Sequence, residues 1–196
     1  QLIDLDRSAS SVEHLPTLLS AARIMGYAGC NVTYPCKQAV IPHLDSLSEE
    51  ARAMGAVNTV VIRDGQLVGH NTDGSGWAWG FTRALPGADL RRVVLLGAGG
   101  AGAAIAHAVL RLGAEHLSIV DAQPERAAQL AADVNALYGA RAEASDIQAA
   151  MAQATGLIHA TPTGMDKLPG LPLEVALLRP AMWVSEVVYF PLDTAL

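Results

Sequence analysis

The spacing of apolar residues changes character part-way along the chain. From residue 93 onward, short apolar runs alternate with longer segments of helical periodicity. The runs are Val93-Val94-Leu95-Leu96, Leu117-Ser118-Ile119-Val120, 156–160 and 183–188, and each predicts a buried strand. Between them, Ile105, Val109 and Leu112 fall at i, i+4 and i+7, and Ala127, Leu130, Ala131, Val134 and Leu137 repeat the pattern. These spacings predict helices with an apolar stripe. Strand–helix alternation of this kind predicts parallel strands joined by right-handed crossovers. Pro162, Pro169, Pro172 and Pro180 punctuate loops in the last third.

The first part of the chain is less regular. Leu15, Leu18, Leu19 and Ala22 predict a helix ending near Gly26, and Tyr27 to Val32 reads as a strand. Val57 to Ile62 and Leu67-Val68 flank Asp64-Gly65, the pattern of a hairpin with a tight turn. The segment Gly74–Leu90 links the two parts. The expected division is a first domain over 1–75 and a second over 76–196, the second opening on a linker helix.

The junction of the 93–96 run with the next helix is Gly97-Ala98-Gly99-Gly100-Ala101-Gly102, a G-x-G-x-x-G arrangement. Gly97 permits a tight strand-to-helix turn, Gly99 lets the backbone approach a pyrophosphate, and Gly102 lets helix and strand pack closely. Free N–H groups at the helix start, helped by its dipole, hold phosphate charge. Asp121 ends the following strand, where a carboxylate accepts bonds from the adenosine ribose hydroxyls. Strand, glycine loop, helix and terminal acid together predict dinucleotide binding.

Composition narrows the field. With 51% hydrophobic and 16% charged residues, the 196-residue chain can bury a sizeable core. No run approaches the roughly 18 apolar residues of a membrane helix, so no membrane partner is expected. A net charge of -6 argues against a nucleic-acid surface. Cys30 and Cys36 lack any metal-ligand pattern and read as reduced thiols of a cytoplasmic protein; no metal site is expected. The chain shows no signal-peptide pattern and opens on Gln1, which suggests a piece of something longer.

Three polar clusters stand out in the first part: Asn31-Val32-Thr33-Tyr34-Pro35-Cys36-Lys37, Gly55-Ala56-Val57-Asn58-Thr59 and His70-Asn71-Thr72-Asp73-Gly74. Amides and hydroxyls both donate and accept, and Lys with Asp supplies a coupled charge pair, which suits a small polyhydroxylated ligand. On residue types alone, a plainer reading stands beside it. Lys37 would be a solvated lysine at a helix start, and Asn58, Asn71 and Asp73 would be turn residues.

These segments resemble the shikimate dehydrogenase family. NVTYPCK is similar to that family's N-[VI]-T-x-P-x-K segment, GAVNTVV to its GAVNT strand and HNTDG to its NTDG turn. GAGGAG is similar to its phosphate loop and HATPTGM to its N-A-T-P-x-G-M loop. Asp121 stands where NADP-dependent members show an Asn-Arg pair. Asp121 to Arg126, with Val187-Val188-Tyr189-Phe190-Pro191-Leu192, resembles the NAD-preferring quinate/shikimate branch.

The resemblance implies an α/β fold: an open α/β substrate-binding domain followed by a Rossmann domain, with the active site in the cleft between them. It implies reversible hydride transfer between NAD, less so NADP, and a ring hydroxyl or ketone of quinate or shikimate, a polyhydroxylated cyclic carboxylate. Lys37 matches the catalytic lysine and Asp73 its partner. Burial favours the neutral form of a lysine and a neighbouring carboxylate the charged form. Thr33, Asn58 and Tyr189 match substrate-side positions, with burial in the core as the other reading of Tyr189. Gly97, Gly99, Gly100, Ala101, Gly102 and Asp121 would hold the dinucleotide. Thr161 and Pro162 end a strand where it passes, and the Val187 backbone would meet its carboxamide. Arg126 would lie along the adenosine or its phosphate, or else on the helix surface. His70, His107, His116 and His159 match no catalytic position and read as structural. A monomer or homodimer is expected.

Two departures accompany the resemblance. The family's opening strand with its Ser-x-Ser-type carboxylate segment, and its closing helix with a substrate-touching glutamine, are not found in these residues; a chain shortened at both ends is the expectation. Two other activities remain open on the sequence: a dehydrogenase of an amino-substituted shikimate, and a non-catalytic NAD-binding regulator, against which the retention of Lys37 and Asp73 argues.

Overall fold

A computed structural model describes residues 2–5 and 11–196. The chain divides into two compact units, Gln1–Asp73 and Gly74–Leu196.

In the first unit, helix α1 (Leu15–Ile24) buries Leu15 and Leu19 and is followed by Gly26 in the left-handed region (φ 74°). A four-stranded sheet has the order β1-β3-β4-β2, from β1 (Gly29–Asn31), β2 (Ser46–Leu47), β3 (Thr59–Arg63) and β4 (Gln66–His70). Strands β3 and β4 form the expected hairpin, and both turn residues, Asp64 and Gly65, have positive φ (53° and 77°), as a type I′ turn requires. The sheet is mixed, because β2 runs parallel to β4 while β1 is antiparallel to β3. Two short α-helices, α2 (Cys36–Ala39) and α3 (Glu49–Met54), also lie among the described residues of this unit. Ser48 caps α3 by accepting the Ala51 N–H. Val40, Val57 and Val60 are fully buried at the centre of this unit's core.

The second unit opens at Gly74, the second residue of α4 (Asp73–Ala84), and is built on a five-stranded, all-parallel sheet of order β7-β6-β5-β8-β9. Its strands are β5 (Arg92–Leu96), β6 (His116–Val120), β7 (Ala142–Ala144), β8 (Gly156–His159) and β9 (Trp183–Glu186). The intervening helices are α5 (Gly100–Arg111), α6 (Pro124–Tyr138) and α7 (Ile147–Ala152). The central strand faces two cores. Val93 and Leu95 pack with residues of α5 and α6, whereas Val94 and Leu96 pack with Ala150, Met151 and Leu173. Burial on both faces explains why the strand reads as an unbroken apolar run.

Three details depart from the sequence expectation. The segment after Asp73 does more than link. Trp77 stacks on Phe81, Phe81 meets Trp183 edge-on, and Trp77 Nε1 donates to Ser185 Oγ at 3.0 Å. Leu137 is 60% exposed rather than on the inner stripe of α6; the neighbouring Tyr138 packs there and meets His107 Nδ1 at 3.1 Å. Strand β9 stops at Glu186, because the Val188 N–H turns out of the ladder to the Glu186 carboxylate at 2.9 Å.

Candidate active site

In the first unit, backbone hydrogen bonds stitch the three polar clusters together. The Val32 N–H donates to the Asn58 carbonyl (2.7 Å), Val57 N–H to that of Lys37 (2.8 Å) and Asn58 N–H to that of His70 (3.0 Å). Lys37, on the four-residue α2, is thereby brought beside Asp73, the first residue of α4. Its Nζ donates to Asp73 Oδ2 at 2.5 Å, with the two side chains 19% and 26% exposed. Asn58 Nδ2 donates to Asp73 Oδ1 at 2.8 Å and to Thr72 Oγ1 at 2.9 Å. Asn58 Oδ1 accepts the Thr72 N–H (3.1 Å) and the Thr59 hydroxyl (2.9 Å). Behind them, buried Asn71 donates to the Ala56 carbonyl (3.0 Å) and accepts the Asp73 N–H (2.9 Å). Both Asp73 oxygens are thus held by polar side chains of fixed geometry. The plainer reading of Lys37 as a solvated lysine does not hold, and Asp73 begins a helix, where its charge suits the dipole.

Thr33 is exposed in the same loop, and its carbonyl accepts the Cys36 N–H at 2.8 Å as α2 begins. Burial pushes the Cys30 and Cys36 thiols above their ordinary range, so both stay protonated. Sequence reasoning gave Asn71 only the part of a turn residue and Thr72 none of its own, although both stand inside the HNTDG segment.

In the second unit, the glycine loop joins β5 to α5. Gly97 has φ 101°, and a Cβ there would lie 2.7 Å from the Ala160 carbonyl oxygen. A Cβ on Gly102 would lie 1.9 Å from the Gly97 carbonyl oxygen, so helix and turn touch backbone to backbone. In front of them a Cβ on Gly99, the N-cap of α5, would enter open space, and no side chain caps that twelve-residue helix. Gly100, Ala101 and Gly102 therefore begin a helix whose first N–H groups have no intrahelical acceptor, the arrangement a pyrophosphate fits.

Asp121 follows β6, and its carboxylate is already engaged. Oδ2 accepts the Ala98 N–H at 2.7 Å, within the glycine loop, and Oδ1 accepts the Gln123 N–H at 2.9 Å. Arg126 is exposed on the first turn of α6. Thr161 lies just beyond β8, its hydroxyl 2.5 Å from His159 Nε2, and Pro162 is exposed beside it. The Val187 N–H donates to the His159 carbonyl at 3.0 Å, extending the β8–β9 ladder by one bond. Tyr189 is 75% exposed, which rules out the core as its place.

The sequence model of the shikimate dehydrogenase substrate binding domain matches residues 3–60. A relative from Streptomyces avermitilis, a shikimate dehydrogenase (NADP(+)), is 54% identical over all of this chain and 69% of its own length. The chain belongs to the shikimate dehydrogenase family. A second model, of F420-dependent NADP oxidoreductases, matches residues 92–169, the glycine-loop region. Another family member, the quinate/shikimate dehydrogenase (NAD(+)) of Corynebacterium efficiens, is 46% identical over 93% of this chain and 66% of its own. Among solved structures, quinate dehydrogenase from Corynebacterium glutamicum in complex with NAD superposes with a TM-score of 0.84. It is 44% identical, over 92% of this chain and 66% of that one. The chain thus spans about two thirds of the length of these relatives.

Proposed function

We propose that this protein is an oxidoreductase that moves a hydride between a nicotinamide dinucleotide and a ring hydroxyl or ketone of shikimate or quinate. The observation that carries the reading is the Lys37–Asp73–Asn58 cluster, a proton-carrying side chain held by a carboxylate that Asn58 holds in turn. A bound nicotinamide supplies or takes up the hydride. Lys37 Nζ handles the proton that must move with it. In the reducing direction the ammonium gives a proton to the alkoxide oxygen forming on the ring; in the oxidising direction the amine takes it from the hydroxyl. Asp73 orients the Nζ hydrogens, and Asn58 fixes the Asp73 carboxylate so that its direction is set before substrate arrives. Thr33 and the exposed Tyr189 offer hydroxyl groups to the substrate's own hydroxyls, whereas the amide of Asn58 is engaged by Thr59, Thr72 and Asp73 and serves to hold the cluster.

The residues of the second unit fit the dinucleotide. The open α5 N-terminus at Gly99, Gly100, Ala101 and Gly102 holds the pyrophosphate. Asp121 meets the adenosine ribose, Arg126 the adenosine side, and Thr161, Pro162 and Val187 line its path at the sheet's carboxyl edge. Relatives are named for both cofactors, NADP in the 54% identical member and NAD in the 46% identical one. NAD preference therefore rests on Asp121, whose carboxylate stands at the end of β6 and accepts the backbone N–H groups of Ala98 and Gln123.

The deciding assay crosses shikimate and quinate with NAD and NADP and follows absorbance of the reduced nicotinamide. Turnover of either acid with NAD supports the reading. Saturable binding of NAD without oxidation of either acid would overturn it in favour of a binding protein.

A further inference from the structure

The parallel sheet carries a buried polar chain that the reaction itself does not use. His159, the last residue of β8, is completely buried. Its Nδ1 lies 2.9 Å from both carboxylate oxygens of Glu186, the last residue of β9 and its register partner. Its Nε2 lies 2.5 Å from Thr161 Oγ1, which in turn accepts the Thr163 N–H at 3.3 Å. Glu186 also accepts the Val188 N–H at 2.9 Å and the Thr194 hydroxyl at 3.2 Å. With Glu186 ionised, one assignment satisfies every member. Nδ1–H donates to Glu186, Nε2 accepts from the Thr161 hydroxyl, and Thr161 accepts from Thr163 N–H. The chain runs from the loop after β8 to the loop after β9, at the carboxyl ends of the strands, where open parallel sheets bind their ligands.

We infer that His159 is a positioning residue for the dinucleotide, acting through Thr161 on one side and through Glu186 and the Val187–Val188 backbone on the other. The inference rests on the reading of the second unit as the nicotinamide dinucleotide site. A buried imidazole joining two loops is an expensive way only to fill space, because each polar atom must be satisfied. Apolar packing would fill the same volume without that requirement. What the imidazole adds is a fixed hydroxyl direction at Thr161 and a fixed path for residues 187–188. His159 also stands where the family pattern quoted above has asparagine, so the device belongs to this chain rather than to the motif.

The test measures NADH affinity of the full chain by fluorescence titration, with melting temperature read in parallel and KM for shikimate measured separately. His159→Phe keeps a ring of similar size and removes both nitrogens. It should weaken NADH binding about tenfold, while KM for shikimate, whose proton-handling cluster lies in the first unit, changes less than twofold. Thr161→Val should reproduce the loss and Thr161→Ser should not. Because both residues act along one chain, the double variant His159→Phe/Thr161→Val should be no worse than the weaker single variant. Should His159→Phe not fold, the Thr161 pair still decides the matter. Lowered melting temperature with unchanged NADH affinity, or losses that add in the double variant, would reduce His159 to a structural residue. A parent protein that binds no NADH overturns this inference together with the reading beneath it; a parent that binds it equally well with and without the Thr161 hydroxyl overturns this inference alone.

Discussion

Lys37 and Asp73 are mostly withdrawn from solvent and bonded to each other, with Asn58 on the second Asp73 oxygen. Lys37→Ala removes the only group in this cluster able to pass a proton to substrate oxygen. Turnover should fall by about 10²- to 10⁴-fold, the range of a positioned acid or base. NADH affinity should stay within about twofold of the parent, since the glycine loop belongs to the other unit. Rate measurements at saturating substrate check the first expectation and fluorescence titration the second; near-normal turnover would remove Lys37 from the chemistry. The neighbouring thiols give a second test. Cys36 is 7% exposed, and burial raises both cysteines above the ordinary thiol range. Reaction requires the thiolate. At neutral pH, alkylation of the folded protein should be at least tenfold slower than in denaturant, Cys36 the slower of the two. Mass spectrometry of timed samples would show it, and rapid labelling of Cys36 would contradict its burial.

Among the elements, the strand–turn–helix of β5 and α5 is the most constrained. Gly102→Ala would place a methyl 1.9 Å from the Gly97 carbonyl oxygen. Backbone must shift, at roughly 1–3 kcal/mol, and the N–H groups facing the phosphate shift with it. Both a lower melting temperature and weaker NADH binding are expected; an unchanged affinity would show that the loop tolerates wider spacing. This unit was largely legible in the sequence. Strands β5, β6, β8 and β9 are apolar runs, and the glycines mark the turn between β5 and α5. Strand β7 escaped because Ala142-Glu143-Ala144 lies at the sheet edge with two of its three residues exposed and the third half-buried, and carries no apolar signature. In the first unit, the Asp64-Gly65 turn announces its hairpin, but α3 and the two-residue β2 are too short to establish a period. The site was legible in its residue types and not in its bonds. Asn58 reads as a ligand, yet its amide hydrogens go to Thr72 and Asp73. Glu186 left a faint sign, the one charged residue of its strand, and no spacing rule joins it to His159 across 27 residues.

At the scale of the molecule, the residues proposed for proton handling and those proposed for the dinucleotide fall in separate compact units, so each set can be altered with the other as control. Cofactor choice belongs to the second. NADP adds a 2′-phosphate carrying nearly two negative charges at neutral pH. Beside Asp121, each unit-charge pair at about 4 Å costs about 1 kcal/mol in water and several-fold more where partly buried. NAD should be preferred by at least about 100-fold in kcat/KM, equivalent to about 2.7 kcal/mol. Comparison of kcat/KM with the two cofactors tests this, and equal use would reassign Arg126 as a phosphate clamp.

The two bonds that Asp121 accepts from Ala98 and Gln123 constrain how such a preference can evolve. An asparagine can accept at one oxygen, but its NH₂ then faces the other N–H, leaving a loop amide unsatisfied at roughly 1–3 kcal/mol. On the proposed reading, the charge that discriminates between cofactors is also the acceptor that shapes the glycine loop, so a lineage losing it first would pass through a loosened protein that has gained nothing. Ala122 is exposed, and an arginine there disturbs no packing. The accessible route runs in one order: Ala122→Arg first, Asp121→Asn second. The single Asp121→Asn variant should melt lower without efficient use of NADP, and the pair Asp121→Asn/Ala122→Arg should narrow or invert the ratio. A stable, NADP-proficient Asp121→Asn protein would show that either order is open.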